Sequence, residues 1–269
     1  MPDQMNTTVG WIGVGAMGSA MSRRLLESGV PLSIWNRTRS RAEFLAAEGA
    51  NVADSIQSLG AEIVFLTVTG SDDVIEVVSG PDGLLRADDR PAVIVNCSTV
   101  SEEASARVRA TAEKHGVDFL AAPISGNPEM VAEGTAAIVA SGSASAFESS
   151  RFYLDLIAPT VVYAGPGDTA MLVKLCSLVL MGTFTASLYE LAALAQRGGV
   201  QGSAFLDFIN ASPIGSTYSA FKSAQFTRGV TKLPPPLQKL MERDFDICLG
   251  VARDLGAPVP LSEAARKLT

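Results

Sequence analysis

The stretch Gly13-Val14-Gly15-Ala16-Met17-Gly18 narrows the choice of folds more than any other in the chain. It is a full G-x-G-x-x-G. The apolar run Val9 to Ile12 precedes it, and a helical pattern follows, with Met17, Met21 and Leu25 on one face and Arg23, Arg24 and Glu27 turned outward. Between a strand and a helix, each glycine has a separate task. The first permits a tight turn, the second lets the backbone approach a pyrophosphate, and the third lets helix and strand pack closely. The helix N-terminus then faces the anion. An ordinary glycine-rich turn is the bland alternative.

The next strand is expected over Pro31 to Trp35. At its end a carboxylate would bind the ribose 2′-hydroxyl of NAD. The chain instead has Asn36-Arg37-Thr38, so a guanidinium stands there and a 2′-phosphate is favoured, which points to NADP (NADPH). The competing reading is a plain surface arginine. Arg39 and Arg41 add positive charge nearby.

Apolar runs and helical patterns then alternate. Strands are expected at Ile63 to Val68, Ala92 to Val95, Val117 to Leu120, Ala136 to Ala140 and Val161 to Tyr163. Helices are expected over Asp72 to Val78 and from Ser101-Glu102-Glu103 to Gly116. This order implies an α/β fold, a largely parallel, doubly wound sheet with helices on both faces. Ligand contacts then fall at strand carboxyl ends, at Thr67, Val68 and Thr69, at Ser98 and Thr99, and in the loop after Leu120. In that loop Ser125, Gly126 and Asn127 offer a hydroxyl, exposed backbone N–H groups and an amide. Such donors suit a substrate carboxylate, although a plain Pro/Gly turn reads the same way.

The stretch from Asp168 to Glu190 holds one charge between its two acids, Lys174. Helical spacing continues to Arg197, where Gly198 and Gly199 can stop it, and Asp168 can cap the start. The expectation is one long, almost wholly buried helix with an ammonium near its start. Burying that charge costs several kcal/mol in rough terms unless a partner or a lowered pKa relieves it. A snorkelling lysine, a membrane span and a catalytic lysine at a cofactor cleft compete. Gly182, Thr183, Thr185 and Ser187 weaken the membrane reading, and no basic cluster flanks the run.

Composition excludes several classes. A net charge of −7 with no basic run argues against nucleic acid as a partner. The three cysteines, Cys97, Cys176 and Cys248, are far apart in sequence and match neither a metal site nor a disulfide framework, which suits a reducing cytoplasm. The single histidine, His115, lies near the end of a charged helix, where solvent contact is expected.

With these residues in view, the chain resembles the β-hydroxyacid dehydrogenase family, the group of 3-hydroxyisobutyrate dehydrogenase and its reductase relatives. The likeness rests on Gly13 to Gly18, on Asn96-Cys97-Ser98-Thr99, on Phe119 through Gly126, and on Gly165 through Lys174 and Leu175-Cys176. It implies Lys174 as the catalytic lysine, Ser125 and Gly126 on the substrate carboxylate, and Ser98 and Thr99 beside the nicotinamide riboside. Asn36, Arg37 and Thr38 look like the NADP-preferring variant. Ser177 and Arg243 occupy positions that face substrate in the family. Departures are equally visible. Ser177 and Leu178 stand where two asparagines usually follow the lysine, Ala121 replaces an aspartate, Asn127 replaces a glycine, and Arg243-Asp244 replaces a Lys-Asp pair. Leu178 cannot hydrogen-bond a hydroxy acid.

Beyond Gly199 the chain reads as helical, over Ser203 to Asn210, Ser216 to Phe226, Leu237 to Leu255 and from Ser262 onward, with a proline-rich loop over Thr227 to Pro236. Compared with the family it looks shortened by about one helix. The expected organisation is a dinucleotide-binding Rossmann domain over 1–164 and an all-α substrate and dimerisation domain over 165–269. The long helix is too apolar for a small helical domain to cover, so a homodimer or higher homo-oligomer is expected. The resulting expectation is an NADPH-dependent oxidoreductase acting on a small carbonyl or hydroxy acid, with no nucleic-acid or membrane partner. The rivals are an imine reductase acting on C=N and a non-catalytic NADPH-binding module.

Overall fold

The computed structural model describes residues 7–229 and 235–268, with backbone alone at 235–237. Two compact units divide the chain, Met1–Lys174 and Leu175–Thr269, and the boundary falls inside one continuous helix.

In the first unit six short strands are parallel throughout: β1 (Val9–Ile12), β2 (Leu32–Trp35), β3 (Asn51–Val52), β4 (Ile63–Leu66), β5 (Val93–Asn96) and β6 (Asp118–Ala121). Their order is β3-β2-β1-β4-β5-β6. This is the doubly wound Rossmann arrangement, and its direction of winding reverses between β1 and β4. Side chains alternate across the sheet with period two. Val9, Trp11, Ile34, Phe65 and Val95 enter one core with Met21 and Leu25 of α1 (Ala16–Glu27) and Leu45 of α2 (Arg39–Ala46). Ile12, Val64, Leu66 and Ile94 enter the other, with Val74 and Val78 of α3 (Ser71–Ser79) and Val108 of α4 (Glu102–Lys114). Both faces are thus covered, which is why these strands read as continuous apolar runs. Ser101 caps α4 by accepting from the Ala104 N–H at 3.2 Å, ahead of Glu102 and Glu103.

The later strands depart from expectation. The runs at Ala136 to Ala140 and Val161 to Tyr163 leave the parallel sheet and form a second one. In it β8 (Ala137–Ala140) lies between β7 (Ile124–Ser125), antiparallel to it, and β9 (Thr160–Tyr163), parallel. The stretch read as a loop after Leu120 therefore contains β7 and runs into α5 (Pro128–Ala132). A bridge between Ala121 and Ser141 joins the two sheets. α6 (Ala144–Ile157), capped by Ser143, connects β8 to β9 and sends Phe147, Tyr153 and Leu154 into the first core.

α7 (Thr169–Arg197) has the expected span. Its start differs, because the Asp168 carboxylate does not cap it. One oxygen accepts from Ser105 Oγ at 2.5 Å, the other from Arg109. The Ala170 N–H is bonded instead by Ser141 Oγ at 2.9 Å. Nor is α7 almost wholly buried: Leu180 is 69% and Leu194 63% exposed, with Val173 and Leu191 also open. By length and composition α7 could cross a membrane. It nevertheless carries packed residues, Val179 with Phe245 in one cluster and Leu188 and Ala192 with Leu206 in another.

The rest of the second unit is α8 (Ala204–Ala211), α9 (Thr217–Thr227), α10 (Pro235–Asp254) and α11 (Pro260–Arg266). A reciprocal capping box between Ser216 and Ser219 opens α9. The expected loop over Thr227 to Pro236 is shorter at both ends. α9 includes Thr227, and α10 begins at Pro235, where a first-turn proline loses no helical bond. Residues 230–234 of that loop lie outside the described residues. α11 starts at Pro260, two residues before Ser262.

Candidate functional site

The glycine motif is held by its neighbours. Gly13 sits at φ +91, and a Cβ there would strike the Thr67 carbonyl. A Cβ on Gly18 would strike both the Gly13 carbonyl and the Thr67 hydroxyl. The Thr67 hydroxyl donates to the Gly13 carbonyl and accepts from Trp11 Nε1 at 2.8 Å, which locks the turn onto β4. Gly15 is the opposite case, since a Cβ there would meet nothing within 4 Å. Gly15 is also the N-cap of α1, with no side-chain cap bond and no acid in the first turn. The first turn of the helix thus has no side-chain cap and no acid of its own, the setting in which an anionic group binds. α3, by contrast, carries Asp72 and Asp73 in its own first turn.

A cleft of about 520 Å³ lies at the carboxyl ends of β1, β2 and β4. Gly13, Gly15, Asn36, Arg37, Thr38, Val68 and Thr69 all line it. Ala16 borders an adjoining concavity with Ser19 and Arg41. Met17 is half-buried under the motif, Gly18 is buried, and Thr99 is exposed outside the lining.

Asn36 bridges the two walls of this cleft. Its Oδ1 accepts from the Val14 N–H at 3.0 Å and its Nδ2 donates to the Thr38 carbonyl at 2.9 Å. Arg37, 82% exposed, meets Asp73 Oδ1 at 3.2 Å. Arg39 is held by Asp54 at 2.9 Å. Arg41 also lines the cleft and has no ion pair among the described residues. The sequence reading noted Arg41 only as nearby charge and passed over Asp73. A partner 36 residues away carries no local signal.

At the carboxyl end of β5, Asn96 accepts from the Ser98 N–H at 3.0 Å, which fixes its amide orientation and leaves the buried Nδ2 without a bond. Ser98 Oγ accepts from the Val68 N–H at 2.8 Å and so ties the β4 and β5 ends together. The first turn of α7 packs at this same edge of the sheet. Ala170 and Met171 contact Ala121 of β6, with Val100 and Val139 alongside. Lys174 follows one turn later and is 8% exposed. Arg109, whose guanidinium is held charged by its bond to Asp168, fixes the segment from the α4 side.

Ser125 is half-buried on β7, paired with Ala137, and Gly126 follows at φ +145. The Asn127 side-chain Oδ1 caps α5 by accepting from the Met130 N–H at 2.8 Å, which leaves its side-chain NH₂ to offer a ligand. In the second unit Ser177 and Leu178 are half-buried on α7. There Arg243, on α10, is exposed and donates to the buried Asp244 at 3.2 Å.

Two family descriptions match nearly the whole chain. Residues 8–165 match the NAD binding domain of 6-phosphogluconate dehydrogenase, and residues 168–269 match the NAD-binding region of NADP-dependent 3-hydroxyisobutyrate dehydrogenase. Glyoxylate/succinic semialdehyde reductase 2 of Arabidopsis thaliana is 26% identical over 269 residues, covering 99% of this chain and 75% of its own. The 2-(hydroxymethyl)glutarate dehydrogenase of Eubacterium barkeri is 26% identical over 262 residues, covering 97% and 87%. A solved 3-hydroxyisobutyrate dehydrogenase from Mycobacterium tuberculosis, with L-serine, has the same fold, with a TM-score of 0.81 at 24% identity over 98% of this chain and 92% of that one. With a Rossmann sheet, an open glycine-loop helix and a long α7 leading into a helical second unit, the chain belongs to the 3-hydroxyisobutyrate dehydrogenase-like β-hydroxyacid dehydrogenases, the NAD(P)-dependent oxidoreductases of hydroxy acids.

Proposed function

We propose that this protein is an NADPH-dependent reductase or dehydrogenase of a small carbonyl or hydroxy-acid substrate, with Lys174 as its general acid and base. The carrying observation is where α7 begins. Its first turn packs on Ala121 at the carboxyl end of β6, and the buried Lys174 follows one turn later, which supports a role at the end of the sheet where ligands bind in this fold.

The groups around the cleft fit the cofactor. The open α1 N-terminus and the space over Gly15 suit a pyrophosphate, with Ala16 and Met17 N–H groups as donors. Arg37 and Arg41 suit a 2′-phosphate at the end of β2, in keeping with the NADP-dependent family matched by the second half. When bound, the cofactor supplies a hydride at nicotinamide C4. Lys174 then gives a proton to the carbonyl oxygen as that oxygen gains charge, and takes it back in the oxidative direction. Ser125 and the Gly126 N–H are assigned to an anionic substrate group.

Glyoxylate and succinic semialdehyde, named for the plant relative, suit such a turn: each is an aldehyde carrying a carboxylate. Leu178, one turn from Lys174, favours a second reading in which the substrate is an imine with no hydroxyl to bind. We further assign the exposed apolar side chains near the end of α7, Leu191 and Leu194, to contact with a second copy of the chain, and the protein to a reducing cytoplasm.

The deciding experiment is Lys174→Met, assayed by NADPH absorbance loss on a panel of small aldehydes, keto acids and cyclic imines. General acid–base catalysis contributes about 10²–10⁴-fold, so turnover falls by about that factor while the fold and NADPH binding persist. Wild-type turnover in the variant overturns the assignment. Preference for imines with indifference to carboxylates selects the second reading.

A further inference from the structure

α7 and α10 bring together two cysteines that are 72 residues apart in sequence (248 minus 176). The register follows from a close approach further along. The Phe245 ring lies against Gly182, where a Cβ would come within 2.6 Å of the ring edge, and Met241 Sδ is next to it. Leu175 and Val179, which flank Cys176 on α7, pack with Met241, Phe245 and Cys248 of α10 in one apolar cluster. Gly182 meeting Phe245, and Cys176 meeting Cys248, makes the two helices antiparallel at this contact. Burial, and then the neighbouring Cys176 thiol, push the Cys248 thiol up. Cys176 is exposed and Cys248 buried, and both are free thiols.

We propose that Cys176 and Cys248 are a thiol pair that a hydroperoxide converts reversibly into an intrachain disulfide. Cys176, the exposed member, reacts first. Its thiolate attacks the peroxide, an S–O bond forms, the O–O bond breaks, and an alcohol or water leaves after taking up a proton. The Cys248 sulfur then attacks the Cys176 sulfenic acid. The S–S bond forms, the S–O bond breaks, and water leaves with the Cys248 proton. In balance, two thiols and one hydroperoxide give one disulfide, one alcohol and one water, and two electrons pass from sulfur to the peroxide. A dithiol reverses the bond by exchange.

The bond would brace α10 against α7 two residues beyond Lys174. Its effect on turnover rests on the role proposed for that lysine, whereas its formation does not. Cys97 serves as an internal control, because it is buried in the first unit and burial holds its thiol far above the ordinary range.

The test treats the full-length protein with hydrogen peroxide and reads thiols, mass and melting temperature, with and without dithiothreitol. The expected result is loss of two of the three thiols, a mass lower by two hydrogen atoms, and a peptide linking Cys176 to Cys248. Closing so long a loop should raise the melting temperature by roughly 5–10 °C, and dithiothreitol should restore the original value. Cys176→Ser should keep both remaining thiols reduced. Cys248→Ala should leave Cys176 oxidised as a sulfenic or sulfinic acid with no intrachain link. Overturning results are a wild-type protein with Cys176 overoxidised beside an intact Cys248 thiol, a Cys176-linked dimer, or three thiols unchanged.

Discussion

Arg109 grips one carboxylate oxygen of Asp168 from two nitrogens, Nη2 at 2.7 Å and Nε at 3.2 Å. Ser105 takes the other oxygen, so a carboxylate only 8% exposed has bonds on both sides. Arg23 and Glu48 form an equally short pair, 2.6 Å on each arm, but on the surface. Burial is the main difference between them. Asp168→Asn keeps the shape and removes the charge that Arg109 needs, and should cost about 2 kcal/mol. Glu48→Gln should cost under about 1 kcal/mol. Denaturant melts of the two variants check the contrast; equal losses would mean that the Asp168 tie does not hold the start of α7.

Cofactor choice should turn on Arg37. A charge-assisted bond to a 2′-phosphate contributes about 1.5–3 kcal/mol, so Arg37→Ala should weaken NADPH more than tenfold and NADH little. Asp73 competes for the same guanidinium at 3.2 Å. Asp73→Asn should therefore tighten NADPH by a few-fold, because it releases Arg37 and removes a repelling charge. Fluorescence titration with both cofactors decides, and a wild type that prefers NADH contradicts the assignment.

The glycine motif should fail in two different ways. Gly18→Ala drives a methyl into the Gly13 carbonyl and the Thr67 hydroxyl, and overpacking of this kind costs about 1–3 kcal/mol. Gly15→Ala meets nothing in the protein and sits at an ordinary φ of −68. Its methyl instead occupies the space given to the pyrophosphate. Thermal melts should show a loss for Gly18→Ala alone, and calorimetric titration a loss of cofactor affinity for Gly15→Ala.

Lys222 gives a pH-dependent prediction. Its ammonium is buried near the Tyr218 and Phe221 rings, with Gln225 Oε1 at 3.2 Å, and burial lowers its pKa. A lysine lowered on folding binds fewer protons folded than unfolded in the window up to the ordinary value of 10.5, so its penalty is full below the folded pKa and fades above it. Lys222→Met should raise the melting temperature at neutral pH, and the gain should shrink as pH climbs toward that ordinary value. A gain constant with pH would show that packing, not charge, is responsible.

Five of the six parallel strands were legible within a residue or two because strands covered on both faces are unbroken apolar runs, whereas β3, two residues long and partly exposed at the sheet edge, was not read at all. The second sheet was not, because AIVA and TVVY look like any parallel strand and their partners are set by tertiary pairing. β7 is only two residues long and offers no pattern at all. Asp168 looked like a cap because caps are local, whereas Ser105 and Arg109 lie 63 and 59 residues away. α7 was legible in extent and misread in burial, since an apolar composition does not say which surface covers it. Among the candidate site residues, the motif glycines and the Asn36 to Thr38 turn came from spacing alone. Thr67 and Ser98 were read as ligand contacts at strand ends; their bonds to Gly13 and Val68, and the pairing of Asp73 with Arg37, emerged only in three dimensions.

The bonds of Asn36 constrain how this protein could ever change cofactor. The same side chain holds the phosphate loop, through Val14, and the turn that meets the far ribose, through Thr38. An aspartate there, the simplest route toward NAD, could still accept from Val14. It would lose the donor to Thr38 and bring a negative charge close to that carbonyl. On the reading that this protein takes NADPH, retuning toward NAD is expected to pass through Arg37 and Thr38 with position 36 kept an amide, because an exchange there costs the bond to Thr38 while Val14 keeps its acceptor.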